Sequence, residues 1–339
     1  MTLPRKKNQM LTFFEILFNL ILNKLIKGEK NMSFDKKNYD SEAAKAARKT
    51  ELDEISVKLE NGVKDVFNGK NFKDYLDFCA RLPKYSLNNQ ILIMLQCPNA
   101  TMVQSFTGWK AIGRSVKKGE KGIRILAPAP FKVERERDKK DEFGHIILKK
   151  DGTPEKEKVS VTINAFKAVS TFDVSQTEGE PIPELEGAEE LKGDVEDYLI
   201  IMEAVKDIIP VPVSFIDIDT GAKGYFDLEN KRIAVKKGMS EVQTLKTLIH
   251  EFAHERLHSK KDDGEIKSKN QQETEAESIA YVVCAHFGID TSDYSFSYLA
   301  SWSTGKEVTE LKKSLDTIRK TASDIIDEIE GKLSIKKAA

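Results

Sequence analysis

Apolar residues recur at intervals of three and four across residues 41–82. Ile55, Leu59, Val63, Val66 and Phe67 form one such set, and Phe72, Tyr75, Cys79 and Leu82 another. That spacing is the buried face of an α-helix. "LNNQILIMLQ" predicts a further helix, with Ser86 as its cap and Pro98 as its stop. The period then changes. "GIRILAPAPFKV" (122–133) and "VSVTINAFKAVSTFDV" (159–174) are rich in β-branched and aromatic residues and predict strands. Residues 134–158 between them carry eight acids and eight bases, the pattern of a solvated hairpin extension. "SQTEGEPIPELEGAEELKG" (175–193) is acidic and rich in Pro and Gly, as a linker would be. Beyond it the pattern predicts a helix at 194–208 and a strand at 211–218. A hairpin at 223–235, turning at Glu229-Asn230, comes next. Helices at about 241–257 and 273–287 follow, separated by a polar loop. In the tail, Leu311, Leu315, Ile318, Ala322, Ile325 and Ile329 make a heptad-like seam. It is short for a coiled coil, so packing on its own domain is expected. The fold class expected is α+β in two domains: an extension at 1–49, a first domain at 50–176, a linker at 177–193 and a second domain at 194–333.

Composition fits that organisation. The 339 residues suffice for about two domains. Hydrophobic residues make up 40% and charged residues 32%, which suits a soluble globular chain. A net charge of -1 excludes any global attraction to nucleic acid or membrane, so a basic surface must be local. The three cysteines, Cys79, Cys97 and Cys284, are far apart and form no CxxC pair, which points to a reducing cytoplasm. The first 31 residues hold "RKK" and then "LTFFEILFNLILNKLI". Glu15, Asn19 and Asn23 interrupt the apolar run, and it is short for a spanning helix. An amphipathic helix and no stable membrane association are expected. Lys27-Gly28-Glu29 can be encoded by a ribosome-binding sequence, which makes Met32 a candidate start.

Chemistry concentrates near "LIHEFAHERLH" (248–258). His250 and His254 lie one helical turn apart, so their imidazoles can converge on one ion, and zinc is the expected one. Glu251 sits about 100° round the helix, where a carboxylate can act as general base toward a water at the metal. A third ligand is available within "ETEAESIAYVVCAHF", where Glu273, Glu275 and Glu277 compete. Ala276, Ala280, Val283, Cys284 and Phe287 define the buried stripe of that helix. Glu273 lies on the stripe, and Glu275 points elsewhere. Glu277, one turn after Glu273, is placed to hold a ligand histidine. His258 is one turn beyond His254 but lacks the Gly turn that precedes a third histidine ligand. A helix-end hydrogen bond is expected of it, and a structural role of His286.

These residues resemble a known family. "HEFAHERLH" with "ETEAESIAYVVCAHFGID" is similar to the zincin-like metallopeptidase domain of ArdC-type antirestriction proteins, which is related to repressor-cleaving peptidases. "YSLNNQILIMLQ" (85–96), "SFTGWKAIGRSVKKGEKGIRILAPAP" (105–130) and "FDVSQT" (172–177) resemble the single-stranded-DNA-binding domain of the same family. The resemblance implies a zincin fold after the linker, Glu273 as the third ligand and Glu277 as its support. It also implies a protein of plasmids or conjugative elements that shields incoming single strands.

The residues by themselves support a DNA surface less specifically. Lys110, Arg114, Lys117, Lys118, Lys121 and Arg124 face one acid, Glu120. Glycines 113, 119 and 122 would let backbone approach phosphate, and Phe106 and Trp109 could stack on bases. Trp109 could equally be a core residue, and the basic run a solvated turn. The expected function is single-stranded-DNA-binding antirestriction with a zinc peptidase-like domain. The alternatives are an active peptidase acting on a repressor or host regulatory protein, and a DNA-protection protein whose metal domain is structural. The two halves are expected to act separably.

Overall fold

The computed structural model describes residues 42–67, 70–182, 195–259, 267–289, 303 and 305–337. The amphipathic 1–31 segment, most of the acidic 177–193 stretch and part of the polar loop after residue 258 lie outside these.

The predicted 41–82 helical region divides into α1 (Glu42–Val66) and α2 (Lys70–Arg81), and α3 (Leu87–Gln96) follows. The periodic residues of α1 and α2 are buried, while Phe67 is half-buried. Ser86 supplies extended backbone before α3, but its hydroxyl makes no cap bond. Next come β1 (Val103–Ser105), the short helix α4 (Phe106–Ala111), β2 (Arg114–Val116), β3 (Ile123–Pro128), β4 (Phe131–Asp138), β5 (Lys156–Ile163), β6 (Phe166–Asp173) and β7 (Thr177–Gly179). Each long predicted strand is therefore two. The first breaks at Ala129-Pro130, where proline has no N–H to give to a ladder. The breaks let one stretch of chain serve two sheets. β1, β6 and β3 form an antiparallel sheet in the order β1-β6-β3. β4 and β5 leave it as a separate two-stranded ribbon, with Phe131 opposite Ile163 and Asp138 opposite Lys156. This is the expected solvated extension. β2 pairs with β7.

The second region holds α5 (Val195–Ile208), β8 (Val213–Ile216), β9 (Gly224–Asp227), β10 (Arg232–Lys236), α6 (Glu241–His258), α7 (Lys269–His286) and α8 (Val308–Lys337). Its sheet runs β8-β10-β9, with β10 parallel to β8 and antiparallel to β9. Serine hydroxyls cap both central helices. Ser240 accepts from Gln243 N–H at 3.3 Å, and Ser268 from Gln271 N–H at 3.3 Å. The second cap starts α7 four residues before the predicted 273.

The core does not respect the linker. Its larger cluster joins Phe72, Tyr75, Leu76, Leu87 and Ile91 of the first region to Ile201, Leu248, Phe252, Ile279, Val283, Ile318 and Ile325 of the second. A smaller cluster lies on the other faces of α2 and α3. There Phe78, Leu82 and Ile93 meet Val103, Ile123 and Ile125 of the β1-β6-β3 sheet. Helices α2 and α3 are thus clamped between that sheet and the second region. Polar contacts cross the same boundary. Tyr281 Oη donates to Asp77, and His286 Nδ1 donates to the Ala80 carbonyl at 2.8 Å. His286 Nε2 faces Glu330 Oε1 at 3.0 Å, and Lys84 pairs with Asp327. One apolar face of α2 and α3, within the expected 50–176 domain, is thus buried against the second region. The α8 seam is buried within the same chain, as expected of a short heptad run.

Candidate functional site

Helices α6 and α7 pack side by side, and β9 packs against α6. Between these elements lies an open cleft of about 1000 Å³. Its floor is the 250–277 cluster. His250 and His254, one turn apart on α6, bring their Nε2 atoms to 3.1 Å of each other. Glu273 Oε2 on α7 lies 3.5 Å from His250 Nε2 and 3.6 Å from His254 Nε2. Tetrahedral zinc with ligand distances of about 2.0–2.2 Å needs ligand atoms separated by about 3.3–3.6 Å. The two edges to Glu273 have that length, and the edge between the histidines is slightly shorter. Among the described residues, no other group brings three such donors together.

The remaining glutamates are sorted by their neighbours. Glu277 Oε2 is 3.1 Å from His250 Nδ1, and its Oε1 is 3.2 Å from Lys246 Nζ. The ring N–H is poorly aligned, so the first is an ion-pair contact rather than a made hydrogen bond. Glu275 is wholly buried and takes no part in the triangle. It accepts from Lys267 Nζ at 2.6 Å, Gln271 Nε2 at 3.2 Å and Ser314 Oγ at 2.9 Å. These separate positions follow from the helix: about 200° of rotation divides Glu273 from Glu275.

Charge balance also fits a cation. Burial opposes a charge on His250, but Glu273 and Glu277 outweigh it and hold its pKa up at about 9. Hydrogen bonding to His250 and His254 pulls Glu273 far below the usual carboxylate range, against the opposing effect of burial. Burial raises the pKa of Glu251, which the two histidines only partly offset. A raised carboxylate pKa is what a general base working near neutrality needs.

Strand β9 fixes Glu251. The Phe226 backbone N–H lies near enough to its carboxylate to oppose the effect of burial on its pKa. Gly224 permits this approach, since a Cβ there would stand 2.6 Å from Thr247 Cγ2, 3.0 Å from Ala234 O and 3.2 Å from Glu251 Cγ. Sequence reading missed Gly224. It also left His258 with no defined partner. His258 Nδ1 lies 3.0 Å from His254 Nδ1, and its Nε2 lies 3.9 Å from Glu275 Oε2. The signal was present: residues 250, 254 and 258 share one face at successive i+4 steps.

The basic run is dispersed in role. Trp109 is completely buried, and its Nε1 donates to Phe172 O at 2.8 Å. It cannot stack on a base, and its candidacy as a DNA contact is withdrawn. Phe106, at 56% exposure, is the aromatic that remains available. Arg114 spends its guanidinium on Thr177 Oγ1 at 2.9 Å, Thr177 O at 3.2 Å and Glu180 O. Arg124 pairs with Glu51 and donates to Ser170 Oγ at 2.9 Å. Both arginines staple the fold. Lys117 Nζ donates to Ser175 O at 2.9 Å, while Lys110, Lys118 and Lys121 are exposed. Gly122 serves packing rather than phosphate, since a Cβ there would meet Ser170 Cβ at 2.7 Å.

Comparison with known proteins fits this division. Residues 45–172 match the N-terminal domain of anti-restriction factor ArdC, and residues 208–312 match the IrrE N-terminal-like domain. An uncharacterized protein of Bacillus anthracis is 28% identical over 334 residues, covering 89% of this chain and 55% of that protein. The chain thus spans about half the length of this curated relative. Among solved structures, the metal-free antirestriction ArdC protein from R388 plasmid is 20% identical. That match covers 74% of this chain and 85% of that one, with a TM-score of 0.42. The Mn(II)-bound structure of the same protein is 16% identical, covering 82% and 97%, with a TM-score of 0.46. The chain thus carries in succession a stretch matching the N-terminal domain of anti-restriction factor ArdC and a stretch matching the IrrE N-terminal-like domain.

Proposed function

We propose that this protein is an antirestriction factor of a mobile element that binds single-stranded DNA and carries a zinc-dependent peptidase-like centre. The observation that carries the metal reading is the triangle of His250 Nε2, His254 Nε2 and Glu273 Oε2. These three residues would hold the ion, and Glu277 would steady His250. A bound zinc would supply Lewis acidity and a water of lowered pKa. Glu251, buried beside β9, would take a proton at its carboxylate and return it to a leaving amine. A peptide would lie along the edge strand β9, which lines the cleft. Lys118 and Lys121, with Lys110 and Lys117 nearby, would draw in phosphate, and Phe106 would offer a stacking face.

Elemental analysis of the full chain tests the centre. One zinc per chain is expected, lost in Glu273→Ala and retained in Glu275→Ala. The reverse pattern would overturn the ligand assignment. Glu251→Gln should keep zinc and single-strand affinity and lose any peptide cleavage. Lys118→Ala with Lys121→Ala should weaken single-strand binding and lower its salt slope by up to about two. Salt-insensitive binding would defeat the DNA reading. Transformation of a restricting host then separates coating from proteolysis. Protection that survives Glu251→Gln and fails in the lysine variant assigns antirestriction to DNA coating; the opposite result assigns it to the peptidase. Among the described residues no helix is long and apolar enough to cross a membrane. With three free cysteines, the proposed location is the cytoplasm.

A further inference from the structure

We propose that His258 and Glu275 form a positioning relay behind His254, so that one ligand histidine is held by a second histidine rather than directly by a carboxylate. The inference rests on the metal reading above. The two ligand histidines are supported differently. His250 has a carboxylate, Glu277, at 3.1 Å from its Nδ1. Behind His254, the atom facing Nδ1 is His258 Nδ1, at 3.0 Å.

The protons on this chain of rings are determined by what each end must do. His254 can offer a lone pair at Nε2 only if its proton sits on Nδ1. That N–H then donates to His258 Nδ1, which must accept. His258 is thereby the tautomer with its proton on Nε2. This nitrogen is buried without a hydrogen-bond partner, and the group it faces is Glu275 Oε2 at 3.9 Å. That separation is too long for a hydrogen bond, so the contact is one between the dipole of a neutral ring N–H and the carboxylate. Glu275 is fully buried and held in place by Lys267, Gln271 and Ser314. Carboxylate oxygens fixed there favour the Nε2–H tautomer of His258, and so the Nδ1–H tautomer of His254. Ser314 belongs to α8 and Lys267 precedes α7, so the relay anchors the ligand to two other parts of the fold. Support of this kind commonly alters metal affinity by about 10- to 100-fold.

The test uses the full chain, stripped and reloaded with zinc against a competing chromophoric chelator, and in parallel with cobalt for its visible spectrum. His258→Ala should weaken zinc binding by about 10- to 100-fold. His258→Gln, whose amide oxygen can again accept from His254 Nδ1, should recover most of the loss. Glu275→Gln, which keeps an acceptor for Ser314, should weaken binding by a smaller factor and carries the test if His258→Ala does not fold. Tetrahedral cobalt bands should persist in every variant, since the ligands are unchanged. Zinc affinity of His258→Ala within about twofold of wild type would overturn the relay. So would loss of the tetrahedral bands, which would make His258 itself a ligand. A wild-type chain that takes up neither ion overturns the metal reading and the relay together.

Discussion

Gly224 is a residue whose missing side chain shapes the cleft. A methyl group there would meet Thr247 Cγ2 at 2.6 Å, too close to be absorbed without movement. Gly224→Ala is expected to cost about 1–3 kcal/mol in urea unfolding, as overpacking does. Gly224→Ala with Thr247→Ser should recover part of that loss; no recovery would place the strain elsewhere. Asp173 is the corresponding residue of the first region. Its carboxylate is buried and accepts from the N–H groups of Thr101, Met102 and Ser175, at 2.9, 3.2 and 2.9 Å, and from the Ser175 hydroxyl. Burial alone would raise its pKa, but these hydrogen bonds together lower it. A carboxylate with a depressed folded pKa contributes stability above its unfolded value, about 3.9, and loses it as pH falls through the folded one. Wild type should therefore lose stability below about pH 4 more steeply than Asp173→Asn. Parallel acid-unfolding curves would contradict this.

Helix α8 belongs to the element scale. Leu315, Ile318, Ala322, Ile325 and Ile329 are completely buried against their own chain. Ile325→Ala should destabilise the protein by about 2–5 kcal/mol, the usual cost of a core truncation. Its sedimentation mass should match wild type. A lower mass would mean that the seam pairs two chains. Helix α7 shows why the 3.6-residue period is so informative here. Within five residues it sends Glu273 to the His250–His254 pair, Glu275 into the core and Glu277 behind His250. Those three directions are legible in the sequence, because helical rotation alone fixes them. The position of β9 is not: a four-residue strand carries too few residues to specify what it crosses.

At the scale of the whole molecule, the two matched domains share one core. Residues 45–176 expressed alone would expose the faces of α2 and α3 that carry Phe72, Tyr75, Leu76 and Ile91. That fragment is expected to lack a cooperative urea transition, while the full chain unfolds in one. A fragment that unfolds cooperatively would show that the smaller cluster suffices. The shared core also sets α2 beside α7, the helix that carries Glu273, through the Tyr281–Asp77 hydrogen bond. Joint stability therefore does not require joint chemistry: the exposed lysines and the cleft remain on different elements.

Local order determined what the sequence could say. The i+4 spacing of His250 and His254, the rotation from Glu273 to Glu277 and the periodic faces of α1, α2 and α8 are consequences of helix geometry. They hold wherever the helix is placed. Tertiary structure decided everything that depends on distant pairing. It buried Trp109 with its N–H on the Phe172 carbonyl, tied Arg114 and Arg124 to partners within the fold, brought Gly224 against Thr247 and set Glu275 beside His258. It also joined regions that composition had separated with a linker. A charge or aromatic in a linear run carries no record of which side of a turn will face the core, and that is settled only when the partners arrive from elsewhere in the chain.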